Sequence, residues 1–142
     1  VAVEKFITTI DTAVATRRSA VDAAVKAYRD ALDAAITARQ SAVDSAIATL
    51  KSETDAATQK AKSDCASVAT SGADPKAIRE SYTTALKDAR EKFRTTVKEI
   101  ESRKDTVTPL ANSRKLAIEA AVNAFKETVK TATYDLKKAI KV

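Results

Sequence analysis

The sequence predicts an all-α protein, an elongated antiparallel arrangement of long helices, on three observations. Five consecutive eleven-residue units run from Ile10 to Asp64. One Gly and two Pro in 142 residues leave room for very few turns. The one dense cluster of turn-forming residues, Thr70-Ser71-Gly72-Ala73-Asp74-Pro75, falls at the midpoint of the chain.

The units read IDTAVATRRSA, VDAAVKAYRDA, LDAAITARQSA, VDSAIATLKSE and TDAATQKAKSD. Eleven residues in three turns is about 3.67 per turn, close to the roughly 3.6 of an unstrained α-helix, so each position of the unit stays on one face. Ile10, Val21, Leu32 and Val43 form one aliphatic register, which gives way to Thr54 and Cys65. Val3, Val14, Val25, Ile36 and Ile47 form a second, and Phe6, Tyr28 and Leu50 a third. These fall in one narrow stripe, the predicted surface for helix packing and self-association. Recurrent alanines (Ala13, Ala24, Ala35 and Ala46, with Ala20, Ala31 and Ala42) widen it on one side, where small residues admit a neighbouring backbone.

Arg17 and Arg39 interrupt the Phe6/Tyr28/Leu50 register, so large apolar and cationic groups alternate along the seam. A buried Arg requires a carboxylate or an aromatic face opposite it; otherwise it reaches water over its alanine neighbours. On the other edge of the stripe stand Asp11, Asp22, Asp33, Asp44 and Asp55, with a basic register of Arg18, Arg29, Lys51 and Lys62 that Gln40 interrupts. Arg18 and Asp22, Arg29 and Asp33, and Lys51 and Asp55 are four apart and can meet on the helix surface, each pair worth a few tenths of a kcal/mol. Two readings stand for this edge: charges that set the register of a partner, or a solvated flank beside a core stripe.

The first helix is expected over 2–69, roughly 100 Å at about 1.5 Å per residue. Its stripe weakens after Leu50, where Thr54, Thr58 and Ala61 replace aliphatics. Over 70–75, Gly72 can end this helix in the left-handed conformation, Asp74 cap the next, and Pro75 take its first position. So short a loop predicts that the helices fold back antiparallel. The second helix is expected over 75–104, with Ile78, Tyr82, Leu86, Phe93, Val97 and Ile100 on one face. A break over 105–109 follows, with Thr108 as cap and Pro109 at the first helical position. Val107, Ile118, Val129 and Ile140 keep an eleven-residue phase across that Pro, so a break with little change of direction is favoured over a kink. The third helix is expected over 109–141, with Phe125 and Leu136 in a second packing register. Its basic lane, Lys104, Lys115, Lys126 and Lys137, also repeats by eleven; a solvated outer face is the plainer account of it. The whole is expected to be one helical domain of 1–142, its core thin enough that further copies complete it.

Residues 1–70 carry nine basic and nine acidic side chains, whereas 71–142 carry sixteen and ten and hold the entire excess of +6. That imbalance can attract an acidic partner, a polyanion or an anionic surface. There is no His to shuttle protons near neutrality, no Gly-rich phosphate loop, and a single Cys cannot build a zinc or iron–sulfur centre. The carboxylates lie on helix edges beside bases. No catalytic residue, cofactor or metal ligand is expected, and no enzymatic activity. Cys65 continues the aliphatic register and is expected to be a small core residue; the sharper reading is a disulfide between two copies. No apolar run approaches the roughly 20 residues needed to span a bilayer. The chain opens on Val1 rather than Met, which suits removal of a signal peptide, although a trimmed end looks the same.

The expected function is that of a non-enzymatic structural or interaction protein that self-associates through the stripe, as an oligomer or as a subunit of an extracellular filament or surface assembly. An amphipathic module binding a lipid surface ranks below, because aromatics are few and Asp lines the edge. Binding of an acidic partner or polyanion by the basic second half ranks with it, lacking aromatic interleaving and a dense Arg cluster.

The segments TRRSAVDAAVKAYRDALDAAITARQSAVDSAI, KSDCASVATSGADPKAIRESYTTALKDAREKFRTTVKEI and SRKLAIEAAVNAFKETVKTATYDLKKAI resemble a class of exported, alanine-rich helical proteins associated with ultrasmall candidate-phylum bacteria. The resemblance covers most of the chain and rests on its style and on the Asp-Cys and Asp-Pro segment. It implies a signal peptide removed before Val1 and a location outside the cytoplasm or at the cell surface. It supplies no activity and no functional residues.

Overall fold

The computed structural model describes residues 1–102 and 106–141. It contains three helices, α1 (Ala2–Ser71), α2 (Pro75–Ser102) and α3 (Val107–Ile140), and no strand among the described residues.

The break between α1 and α2 forms where turn chemistry concentrates, but it is shorter than expected. α1 continues two residues beyond 69, because the helical ladder closes until Gly72 takes φ 66. Its N–H donates to the Val68 carbonyl at 3.1 Å, the single closing bond of a left-handed C-terminal cap. Asp74 then accepts from the Lys76 N–H through Oδ1 at 2.9 Å, while its carbonyl receives the Ile78 N–H at 3.1 Å. Pro75, which has no N–H to satisfy, stands at the first helical position.

The start of α3 differs from the expectation of Thr108 as cap and Pro109 as first residue. Thr106 precedes the helix with φ −69 and ψ −22, so Pro109 is its third residue. A proline is still accommodated there, because amides of the first turn have no carbonyl four residues back to bond. The expected end of the second helix at Lys104 and the opening of the break at Asp105 lie outside the described residues. At its C-terminus α3 closes with the Lys141 N–H on the Lys137 carbonyl at 3.3 Å. Lys137 and Lys138 in its last turn suit the negative end of the helix dipole.

The helices pack into two compact units. In the first, Val1–Ala35 of α1 lies against α3. Ala13 and Ala132 are its buried residues, and the half-buried positions of α3 recur at intervals of eleven: Leu110 and Ala121; Ala111, Val122 and Thr133; Arg114, Phe125 and Leu136; Ile118 and Val129. In the second unit, α1 from Ile36 onward lies against α2, and Ala46, Ile78, Ala89 and Ile100 are buried. Ile78, Ala89 and Ile100 are again eleven apart, and Tyr82, Leu86, Phe93 and Val97 are half-buried beside them. Alanine is the commonest buried residue among those described, four of six, as suits a seam where a small side chain lets a neighbouring helix come close.

Cys65 corrects the sequence reading: it is exposed and free. Beyond Leu50 the covered positions of α1 are Glu53, Thr54, Ala57, Thr58, Ala61, Asp64, Ser67 and Val68. Most of these keep the eleven-residue spacing, as in Ala46, Ala57 and Val68, in Ala42, Glu53 and Asp64, and in Leu50 and Ala61, whereas the register of Val43 and Thr54 is not covered again at Cys65.

Candidate functional site

The residues from which function can be argued are those along the two helix seams. In the first unit, the Arg17 guanidinium lies 4.7 Å from the centre of the Phe125 ring, and the Arg114 guanidinium 4.3 Å from that of Tyr28. Arg17 and Tyr28 are eleven apart on α1. Arg114 and Phe125 are eleven apart on α3, and the order is reversed. Each contact joins a cation on one helix to a ring on the other, and the roles swap between the two levels. One more step of eleven reaches Phe6 and Leu136, which line a common cavity with Ala2 and Ala132. Arg17 thus has an aromatic face beside it while remaining exposed. Arg39, the other cation of that register, is exposed and has no ring over it among the described residues. Arg114 was missed by the sequence reading, although its spacing of eleven from Phe125 and twenty-two from Leu136 marks the register.

In the second unit the cross-helix polar contact is of another kind, Lys92 Nζ donating to Glu53 Oε1. The two threonines of the covered face, Thr54 and Thr58, bond their hydroxyls back to α1 itself: Thr54 donates to the Leu50 carbonyl at 3.0 Å, and Thr58 to that of Thr54 at 2.9 Å. A hydroxyl bonded to its own helix can lie against a neighbour without leaving a polar group unsatisfied.

The predicted packing residues divide cleanly. Phe6, Ile10, Val14, Val21, Val25, Tyr28, Leu32, Val43, Leu50, Ile118, Phe125, Val129 and Leu136 are half-buried. Val3 (53 % exposed), Ile36 (56 %), Ile47 (50 %) and Ile140 (65 %) are not covered within the chain. For the three on α1 the reason is angular. Their register lies about 98° around the helix from the buried Ala13/Ala46 register, at the margin of what one neighbouring helix covers, so Val14 and Val25 of the same register are half-buried while these three are not. Ile7, at 52 %, extends the same uncovered edge. Ile140 is the last residue of α3.

All the register charges named from the sequence, Asp11, Asp22, Asp33, Asp44, Arg17, Arg18, Arg29 and Arg39, are exposed. Of the three pairs expected at a spacing of four, Lys51–Asp55 closes, at 3.5 Å. Arg18–Asp22 and Arg29–Asp33 do not come within ion-pair distance. Lys26–Asp30 (2.5 Å) and Lys60–Asp64 (2.6 Å) form instead, between residues outside the expected pairs. The described lysines of the α3 lane, Lys115, Lys126 and Lys137, are exposed, with Lys115 3.8 Å from Glu119.

Among the described residues no three Cys, Asp or Glu side chains are grouped so as to hold a metal ion. No described helix is long and apolar enough to cross a membrane. No protein-family profile, characterised protein or solved structure matches the chain.

Proposed function

We propose that this chain is a non-enzymatic helical subunit that associates with copies of itself, another copy completing the apolar stripe of α1. One observation carries this reading: among the described residues of α1 the packing within the chain buries only the alanines Ala13 and Ala46, and it leaves Val3, Ile7, Ile36 and Ile47 about half exposed. No described side chain is wholly enclosed, and four of the six buried residues are alanines. So little enclosed surface is what a subunit presents before its partners are added. Within each unit the helices pair antiparallel, with rungs spaced by eleven residues. The reversed order of the Arg17–Phe125 and Arg114–Tyr28 contacts supports this in the first unit, and the Ile78/Ala89/Ile100 spacing supports it in the second. The likeness to exported alanine-rich proteins supports an extracellular or cell-surface setting for the assembly.

The test is negative-stain electron microscopy and sedimentation velocity over a wide range of protein concentration. Ordered fibres, tubes or discrete oligomers that grow with concentration are expected. A single monomeric species at every concentration overturns the proposal. The exposed lane of Lys115, Lys126 and Lys137 favours a second reading, attraction of an acidic partner or polyanion, in which a monomer binds heparin or nucleic acid with strong salt dependence.

A further inference from the structure

Four charged side chains of the first unit stand in one lane of α1 in alternating sign: Arg18, Asp22, Arg29 and Asp33. All four are exposed, and none has an oppositely charged group within ion-pair distance among the described residues. The same registers do pair at Lys51–Asp55, so the spacing permits closure. The order Arg, Asp, Arg, Asp becomes Asp, Arg, Asp, Arg when the helix is reversed. Such a lane is complementary to itself about a two-fold axis, as a symmetric contact between identical subunits requires.

From this we infer that α1 pairs antiparallel with α1 of a second copy, about a two-fold axis beside Val25 and Lys26. Reversal about that point sets Arg18 against Asp33 of the other copy and Asp22 against its Arg29. With the two symmetry-related pairs, four opposite-charge contacts form and no like charges of the lane meet. Val25, half-buried on the edge of the apolar stripe, meets its own counterpart there. Lys26, nearest the axis on the other flank, is already balanced by Asp30 at 2.5 Å. An in-register parallel pairing does not bring these opposite charges together. The inference rests on the proposed self-association and names its occupant and its direction.

Two single variants test it, Arg18→Asp and Asp33→Arg, in the full chain, with circular dichroism confirming that each stays helical. In the antiparallel pairing each variant alone places two like-charge contacts in its homodimer. An equimolar mixture restores all four opposite-charge pairs. Sedimentation equilibrium at low salt is expected to show each variant weakened on the order of tenfold to a hundredfold in dissociation constant, the sum of several exposed pairs lost and reversed. The mixture is expected to return to wild-type affinity as a heterodimer. Wild-type self-association with variants that associate equally well, or with a mixture that is not rescued, overturns this pairing and leaves self-association standing. A wild-type chain that is monomeric throughout overturns both.

Discussion

Where α1 meets α3, an arginine faces an aromatic ring at two levels. Where α1 meets α2, the cross-helix contact is the Lys92–Glu53 ion pair, and two threonines bond back to their own helix. The difference follows the side chains that α1 supplies. Over its first half its covered registers carry Phe6, Ile10, Val21, Tyr28 and Leu32, so α3 needs only matching rungs. Beyond Leu50 it offers Thr54, Thr58 and small residues, and its partner provides the apolar weight. Accordingly the two buried isoleucines, Ile78 and Ile100, belong to α2, while the buried residues of the first unit are both alanines. A long regular helix can thus change how it is held by exchanging residues at fixed intervals, without a break in its backbone.

The largest expected effect separates the units by core content. Ile100→Ala should destabilise by about 2–3 kcal/mol, because a buried aliphatic is lost and rigid helices refill the space poorly. Val129→Ala, half-buried in the first unit, should cost about 1 kcal/mol. Urea denaturation of the two variants checks the ranking, and equal losses would remove the distinction between the units.

Next in size is the turn. Gly72 has φ 66 and open space where a Cβ would lie, so Gly72→Ala meets no clash and bears only the left-handed backbone cost. The expected loss is about 1 kcal/mol, read as a lower melting temperature, with Gly72→Asn losing less.

The smallest effect compares the polar contacts. A double-mutant cycle on Arg17 and Phe125 should give a coupling of about 0.5–1 kcal/mol that largely survives added salt, because part of it is ring packing. The Lys92–Glu53 cycle should give about 0.5 kcal/mol or less, since Lys92 is 62 % exposed, and should fade between low salt and 1 M. The opposite salt responses would mean that the two seams do not differ in the way described.

Several features were legible without the fold. Helical content, the site of the break after α1 and the exposure of the aspartate register all depend on neighbours within a few turns, and local sequence encodes them directly. That Arg17 would meet a carboxylate or a ring, or else reach water, was legible, but its partner was not: that requires the offset between α1 and α3, which no local spacing contains. Cys65 was misjudged for a related reason. Its register is correct by arithmetic, but the covered face of α1 no longer includes that register at residue 65, and the width of that face is set by how the two helices meet. The uncovered half of the stripe was equally hidden, because apolar periodicity marks what can be buried and not how far one neighbour reaches.

By itself, then, the order of residues determined three helices, a glycine-closed end to α1 and an alternating charged lane, since these follow from backbone geometry and short-range hydrogen bonding. Tertiary structure alone decided which rings receive which cations, that alanine lies deepest in the first unit, and which aliphatics remain in water. Those depend on the register and closeness of two helix surfaces, and side-chain size at the line of contact sets both.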